Sequence, residues 1–160
     1  MKFKANKKKQ FHVFCDDFDG NGTYDVVLSN NYKGSLVPVR GRECSSEQMP
    51  FIKEKFQTFQ SFAQADIESI YGQENLANAL HYKADILESI ALINDGNGNF
   101  LIQKLPLEAQ LSPMMSAISI DMNKDGKNEL IYAGNLFNVE VETVRYDSGI
   151  GGILIFNNNN

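Results

Sequence analysis

The amino-acid sequence predicts a mainly β fold that contains an α-helical insertion. Three observations predict it: two similar acidic loops lie between β-rich runs, a Gly- and Asn-rich turn follows another apolar run, and the stretch between the loops changes to a helical period. Short β-branched and aromatic runs favour strands, whereas apolar residues three and four positions apart favour helices. We therefore expect antiparallel strands joined by hairpins, with two to three helices inserted among them.

The length of 160 residues is typical of a single domain, so we expect one compact unit. Within it, residues 10–44 are predicted to form strands around the first acidic loop, and residues 45–82 the helical insertion. Residues 83–156 are predicted to form strands around the second acidic loop. The polar residues 1–9 and 157–160 are expected to be flexible ends.

Oxygen-bearing side chains occupy positions 1, 3, 5 and 9 of both acidic loops, which span residues 17–25 and 121–129. They are Asp17, Asp19, Asn21 and Asp25 in the first loop, and Asp121, Asn123, Asp125 and Glu129 in the second. Calcium binds six to eight oxygens, and a tight loop with alternate side chains turned inward supplies most of them. We expect the main-chain carbonyls of Thr23 and Lys127, at position 7, to complete the two shells.

Calcium is expected rather than magnesium, because magnesium tends to retain its water ligands. The repeat predicts two structural Ca²⁺ sites, in which the cation relieves the repulsion among three carboxylates and links two strands. Acidic turns rich in Gly and Asn also occur without a metal, which is the alternative reading of each loop.

An EF-hand does not fit these loops. Its twelfth position carries a bidentate Glu, and helices flank it. Position 12 is Leu28 in the first loop and Tyr132 in the second, and both loops are flanked by strand-like runs. The arrangement predicted twice is therefore a strand, an acidic loop and a second strand.

The helical insertion shows a clear amphipathic period in its second half. The recurring apolar residues are Phe59, Phe62, Ala63, Ile67, Ile70 and Tyr71. Thr58 or Ser61 is a suitable N-cap, and Gly72 stands where a helix commonly ends. A preceding helix should begin after Ser45-Ser46, and a following one should cover residues 73–80. We expect the phenylalanines of the insertion, at positions 51, 56, 59 and 62, to cover the sheet.

Residues 85–94 are apolar at both odd and even positions, which predicts a strand buried on both faces. The following Asp95-Gly96-Asn97-Gly98 is a strong hairpin signal. Strands are expected to return from about residue 83.

The net charge of −5 is explained largely by the six carboxylates of the two loops. Two divalent cations, with four positive charges, would bring the net charge to −1. The sequence lacks the basic face that nucleic-acid binding favours. It also has no apolar run long enough to span a membrane and no signal peptide, so neither a nucleic acid nor a membrane-spanning segment is expected.

Catalytic motifs are not found, so we expect a binding protein rather than an enzyme. His12 alternates with apolar residues in a predicted strand, which favours a structural role. His81 is expected at a helix end, where the helix dipole favours a cation. Cys15 lies in an apolar strand and is interpreted as a small buried hydrophobic residue.

A ligand site is a further hypothesis, with Arg40 and Arg42 as candidates because both flank Gly41 and guanidinium groups bind carboxylate or phosphate. An ion pair with Glu43 or with the acidic segment around Glu140 and Glu142 is the alternative. Glu140 and Glu142, followed by Asp147, are themselves ligand-binding candidates in a predicted long loop.

The pattern strand–DxDxDGxxD–strand resembles the FG-GAP/VCBS repeat of calcium-binding β-propellers, including the integrin alpha chains. Residues 90–100 resemble the hairpin that opens such a blade, with its Asn-x-Gly-x-Gly-x-Phe core. Residues 40–50 and 107–113 resemble segments of bacterial cell-surface VCBS-repeat proteins. The resemblance covers most of residues 10–156.

This resemblance implies about two antiparallel blades of the β-propeller type, as a fragment of a larger propeller. The implied partners are the remaining blades of a longer parent chain and a glycan or protein ligand, in adhesion or binding at the cell surface or outside the cell. The alternative is an accessory or catalytic portion of a carbohydrate-active propeller enzyme, in which paired carboxylates would hydrolyse a glycosidic bond.

Overall fold

The structure is a computed structural model that describes residues 3–139 and 143–156. The chain divides into two compact units, Met1–Leu87 and Glu88–Asn160, where one unit was expected. All the strand pairings are antiparallel, and five short helices lie among the described residues. The prediction of a mainly β fold with helices is thus confirmed. The described residues form no closed barrel or propeller, so propeller blades stay a prediction.

The first unit combines a four-stranded sheet with all five helices. In chain order its elements are β1 (Phe11–Asp16), β2 (Asp25–Tyr32), β3 (Ser35–Pro38), α1 (Arg42–Gln48), α2 (Phe51–Lys55), α3 (Phe59–Ala63), α4 (Ile67–Tyr71), α5 (Gln73–Asn78) and β4 (Leu80–Ala84). The strand order is β3-β2-β1-β4, so the chain returns after the helices to pair β4 with β1. This order differs from a simple meander, in which each strand pairs with the next.

The amphipathic helix predicted around Phe59 is divided into two short helices, because two N-cap residues, Thr58 and Asp66, lie close together in the sequence. Thr58 accepts from the backbone N–H of Ser61 and forms a capping box that starts α3. Asp66 accepts a hydrogen bond of 2.8 Å from the backbone N–H of Ser69 and starts α4. Gly72, with a φ of 89°, ends α4, as its position in the sequence indicated. The number of helices is therefore larger than predicted.

The core of the first unit lies between the sheet and the helices. Phe14 of β1 and Val27 of β2 pair across the sheet, and both are buried. The same cluster contains Met49, which follows α1, and the helical residues Ile52, Phe62, Ile67, Ile70, Tyr71 and Leu76. Phe51 and Phe56 pack against this cluster, so the insertion covers the sheet as expected. Phe59 differs: its side chain is exposed, and the Arg42 guanidinium lies 5.4 Å from its ring centroid.

Replacing Asp66 by alanine is expected to destabilise the first unit by about 1 kcal/mol, because the first turn of α4 loses its side-chain acceptor. Hydrogen bonds from the Ser69 side chain and backbone lower the pKa of Asp66. The charged cap therefore stabilises the fold above the unfolded pKa of about 3.9, and this contribution is lost as the pH falls through the lower folded value. Urea unfolding of both proteins at pH 7 and pH 3 measures it.

Asn at position 66 is the matched control, since Asn caps as well as Asp but carries no charge. D66N should keep most of the stability at pH 7 and lose the part of the acid dependence that the Asp66 carboxylate contributes. Equal stability of D66A and the wild type at pH 7 would show that Asp66 does not cap α4.

The second unit holds two small sheets. Its elements are β5 (Ile90–Asn94), β6 (Phe100–Lys104), a 3-10 helix (Leu107–Gln110), β7 (Ser116–Ile120), β8 (Glu129–Ala133) and β9 (Gly152–Leu154). Within the described part of the chain β5 and β6 form a two-stranded sheet, whereas β7, β8 and β9 form a three-stranded sheet in sequence order. The Asp95–Gly98 turn joins β5 to β6, which confirms the predicted hairpin.

Two expected element boundaries are wrong, one at a strand and one at a helix. The strand predicted over residues 85–94 begins at Ile90, and its apolar residues Leu92 and Ile93 are 57% and 43% exposed rather than buried. A two-stranded sheet cannot cover both of its own faces, which is why an apolar pattern did not produce burial here. Helix α5 ends at Asn78 instead of residue 80, and His81 consequently lies in β4 rather than at a helix end.

The remaining general predictions concern thiols and membranes. Cys15 and Cys44 are both half-buried thiols that do not form a disulfide with each other. Cys15 pairs with Val26 on one side and with Leu80 on the other, in the middle of the sheet. In the described part of the chain, no helix combines the length and the apolar composition that crossing a membrane requires.

Candidate metal centre

Both acidic loops connect two neighbouring antiparallel strands in the same way. The first loop leaves β1 after Asp16 and enters β2 at Asp25, and these two residues pair with each other. The second leaves β7 after Ile120 and enters β8 at Glu129, which also pair with each other. In each case position 9 of the loop is the first residue of the returning strand, opposite the residue that precedes position 1. The two loops are therefore equivalent hairpin connections.

The loops also share one hydrogen-bond network. In both loops the side-chain carboxylate at position 1 accepts hydrogen bonds from the backbone N–H groups of positions 5 and 6. The side-chain oxygen at position 3 accepts from the backbone N–H of position 5, and the one at position 5 accepts from that of position 7. The carboxylate at position 9 accepts from the backbone N–H of position 2. In the first loop the N–H to oxygen distances are Asn21 to Asp17 2.9 Å, Gly22 to Asp17 2.8 Å, Asn21 to Asp19 3.2 Å, Thr23 to Asn21 2.8 Å and Phe18 to Asp25 3.1 Å. In the second they are Asp125 to Asp121 3.1 Å, Gly126 to Asp121 2.9 Å, Asp125 to Asn123 2.9 Å, Lys127 to Asp125 2.9 Å and Met122 to Glu129 2.9 Å.

The backbone takes the left-handed region at the same two positions of each loop. Position 4 has a φ of 73° at Gly20 and 61° at Lys124, and position 6 has a φ of 86° at both Gly22 and Gly126. These turns bring alternate side chains to the inside of the loop, so the glycines at position 6 have a conformational reason. At position 4 the sequence indicates a left-handed backbone only in the first loop, where the residue is glycine. The lysine at position 4 of the second loop, Lys124, does not indicate it.

The first loop concentrates negative charge. Ligand oxygens of Asp17, Asp19 and Asp25 all lie within 4.8 Å of one another, and among the described residues this is the one group of three or more such ligands. Asp25 is only 2% exposed. Burial, followed by the charges of Asp19 and Asp17, raises the pKa of Asp25 against the lowering effect of the Phe18 N–H. Three oxygens that repel one another, one of them buried, are a donor set that suits a hard cation.

The second loop keeps the network but arranges its carboxylates differently. Asp125 stands at position 5, where the first loop has an amide, and both of its oxygens are engaged. One accepts from the Lys127 N–H at 2.9 Å, and the other accepts from the Asn123 side-chain amide at 2.9 Å. Hydrogen bonds from Asn123 and then Lys127 lower the pKa of Asp125. Glu129 is buried like its counterpart Asp25, so the second loop offers a similar donor set that is less tightly gathered.

Replacing Gly126 by alanine is expected to destabilise the second unit by about 1–2 kcal/mol, because an L side chain disfavours the left-handed backbone. No atom outside the immediate chain neighbours lies within 4 Å of the added Cβ, so the cost is torsional and not steric. Urea unfolding in the presence of a chelator gives this free energy without a metal contribution. K124A is the control: Lys124 already has a side chain at φ 61°, so its change should stay within about 0.5 kcal/mol. Equal effects of the two substitutions would contradict the loop geometry.

Of the candidate ligand residues, the structure describes Arg40 and Arg42, and each contacts a neighbour in the first unit. Arg42 pairs with Glu43 at 2.6 Å and donates through Nε to the carbonyl of Phe56, which corresponds to the ion-pair alternative. Arg40 Nη1 contacts the Gln48 side-chain oxygen at 3.5 Å. Glu140 and Glu142 lie outside the described residues, and Asp147 is exposed. The ligand-site hypothesis therefore stays a prediction.

One contact of the first loop was not predicted. The side chain of Gln48, at the end of α1, hydrogen-bonds to the buried carboxylate of Asp25 and lowers the pKa of that group. Gln48 also contacts Arg40, so the loop is linked to the helices through this amide. Residues 25 and 48 meet only because α1 packs on the sheet. No local pattern in the sequence could have indicated this contact.

Comparisons with known proteins give no relative for this chain: no protein-family model, no curated protein and no solved structure matches it.

Proposed function

We propose that this chain is a calcium-binding propeller-repeat module of a bacterial surface or secreted protein, with two structural metal sites and a role in glycan or protein binding. The observation that carries the proposal is the equivalence of the two loops. They lie in different units of the chain, yet they share strand register, hydrogen bonds and left-handed positions. Ordinary turns between strands have no reason to share all three.

The chemistry of the loops supports calcium. The first site would use Asp17, Asp19, Asn21 and Asp25 with the main chain of Thr23, and the second Asp121, Asn123, Asp125 and Glu129 with the main chain of Lys127. All the side-chain donors are hard oxygens, which calcium prefers. A bound cation would supply positive charge to a cluster that is otherwise repulsive. Because positions 1 and 9 belong to opposite ends of a hairpin connection, it would also hold two strands together.

The apolar surface of the second unit supports a module that packs against further blades. Large exposed apolar side chains occur in every strand of its two sheets except β8, among them Leu92, Leu101, Ile118 and Ile153. Repeat units of this kind bury such faces only against neighbouring copies. The partners proposed are therefore the remaining blades of a longer chain, while the glycan or protein ligand would be bound by the assembled module.

Thermal unfolding with and without a chelator tests the structural role. Metal-stripped protein should melt at a lower temperature than protein in calcium, because binding to the native state alone stabilises it by about 2.7 kcal/mol when free calcium is a hundredfold above Kd. For units of this size that corresponds to a rise of roughly 10–20 °C. Magnesium at the same concentration is the control and should stabilise much less. Identical melts in calcium and in chelator would reject structural calcium sites.

A further inference from the structure

Outside the acidic loops, two histidines on adjacent strands form a separate pair of metal-ligating groups. His12 Nδ1 and His81 Nε2 lie 2.9 Å apart in a hydrogen bond in which one ring nitrogen donates to the other, and the two rings are stacked with centroids 5.1 Å apart. The register pairs His12 with Lys83 and Phe14 with His81, so the histidines are diagonal neighbours on one face of the β1–β4 ladder. The Phe14 ring stacks on the His81 ring, with centroids 4.0 Å apart, and limits the movement of the His81 side chain. Two ring nitrogens are thus held together by the strands.

From this geometry we propose that His12 and His81 form a binding site for a divalent transition metal with tetragonal coordination, such as Ni²⁺ or Cu²⁺. Imidazole is a preferred ligand of these ions. Two nitrogens at ordinary bond lengths from one metal lie about 2.9 Å apart when they meet at a right angle, and about 3.3 Å apart at the tetrahedral angle. The observed separation is that of the hydrogen bond between the rings, and it is also the separation that a right angle at a tetragonal ion requires.

The surroundings leave the site open to solvent, and a metal ion would replace the proton that the two ring nitrogens share. His81 is exposed and His12 is half-buried, so an ion can reach the pair from solvent. Burial lowers the pKa of both imidazoles; the charges of His81 and then Lys83 add to this lowering at His12, and the charge of Lys83 adds to it at His81. No further His, Cys, Asp or Glu of the described chain joins these two within ligand distance. The other coordination positions would hold water or a donor from a bound molecule.

Ser29 is a buried polar residue beside one of the ligands, and in this structure its hydroxyl makes no hydrogen bond to that ligand. It lies opposite His12 on β2, and its hydroxyl is fully buried with no hydrogen-bond partner among the described residues. A histidine that binds metal through Nδ1 carries its proton on Nε2, and metal-bound histidines usually donate that proton to a nearby acceptor. The Ser29 oxygen is an acceptor on the adjacent strand that no other group uses. Lys83 acts in the opposite direction, because its positive charge on the same face opposes a cation.

Calorimetric titration of the tag-free chain with Ni²⁺ tests the site, with calcium held in excess so that the acidic loops do not compete. Ni²⁺ is the probe because, unlike Cu²⁺, it does not oxidise the thiols of Cys15 and Cys44. One Ni²⁺ per chain is expected. H12Q and H81Q should each weaken binding by at least about tenfold, whereas K83Q should strengthen it. Thermal unfolding without nickel establishes that each variant is folded.

Two outcomes would overturn the assignment. The first is no nickel binding by the wild type in calcium. The second is nickel binding that both H12Q and H81Q retain unchanged, which would place the ion away from the two histidines. Neither outcome bears on the calcium proposal, since the two sites share no residue.

Discussion

Replacing Phe62 by alanine is expected to destabilise the first unit by about 3–5 kcal/mol, the loss typical of a phenylalanine removed from a core. Phe62 is 6% exposed and belongs to the cluster that the helices form with the sheet. Its ring lies edge-on to Phe56, with centroids 5.7 Å apart. Urea unfolding followed by circular dichroism measures the change. A loss this large would be a substantial part of the stability of a small unit.

Phe59 provides a matched control in the same helix. It is the same residue type, three positions earlier in α3, but it is 65% exposed and contacts the Arg42 guanidinium instead of the core. F59A should cost about 0.5–1 kcal/mol, the value of an exposed cation–π contact. If F62A and F59A were equally mild, the helices would not be packed on the sheet as described.

Substituting Asp17 by asparagine should remove calcium binding from the first loop and leave the second intact. Asp17 stands at position 1, where its two oxygens organise the loop through Asn21 and Gly22. Asparagine keeps the size of the side chain but lacks the charge that a divalent cation needs. D121N should do the same in the second loop, so each variant should bind one calcium per chain, and the double variant none. Calorimetry counts the sites.

The control for this series is D95N. Asp95 lies in the β5–β6 turn, where it accepts from Asn97 and Asn99, and it belongs to neither acidic loop. D95N should therefore bind calcium as the wild type does. Two sites remaining in D17N would show that the first loop does not hold the ion. The carboxylates of the second loop lie farther apart than those of the first, so we expect the first loop to bind calcium more tightly. D121N, which retains the first loop, should therefore keep the site of higher affinity.

The loops could be predicted from the sequence because their geometry is local. Alternating oxygen side chains and a glycine at position 6 specify the turn, whose hydrogen bonds span at most seven residues. The flanking strands follow from β-branched runs that pair across the same loop. The same locality explains the hairpin at Asp95–Gly98 and the helix end at Gly72.

The features that the sequence did not predict depend on distant contacts. β4 pairs with β1 although five helices separate the two strands in the sequence. His81, which was expected at a helix end, therefore lies in a strand beside His12. The apolar period from Phe59 to Tyr71 did not reveal that Asp66 starts a new helix, because an amphipathic pattern continues across a cap. An apolar run at Leu92 and Ile93 indicates a tendency to be buried, but burial also requires a neighbour, which the two-stranded sheet lacks.

The central claim is that the two acidic loops are calcium sites, and calcium titration of metal-stripped wild-type protein by calorimetry tests it most directly. The account predicts two calcium ions per chain and much weaker binding of magnesium in the same buffer. The absence of calcium binding would contradict it, and the loops would then be hairpin turns whose carboxylates serve only their own backbone hydrogen bonds.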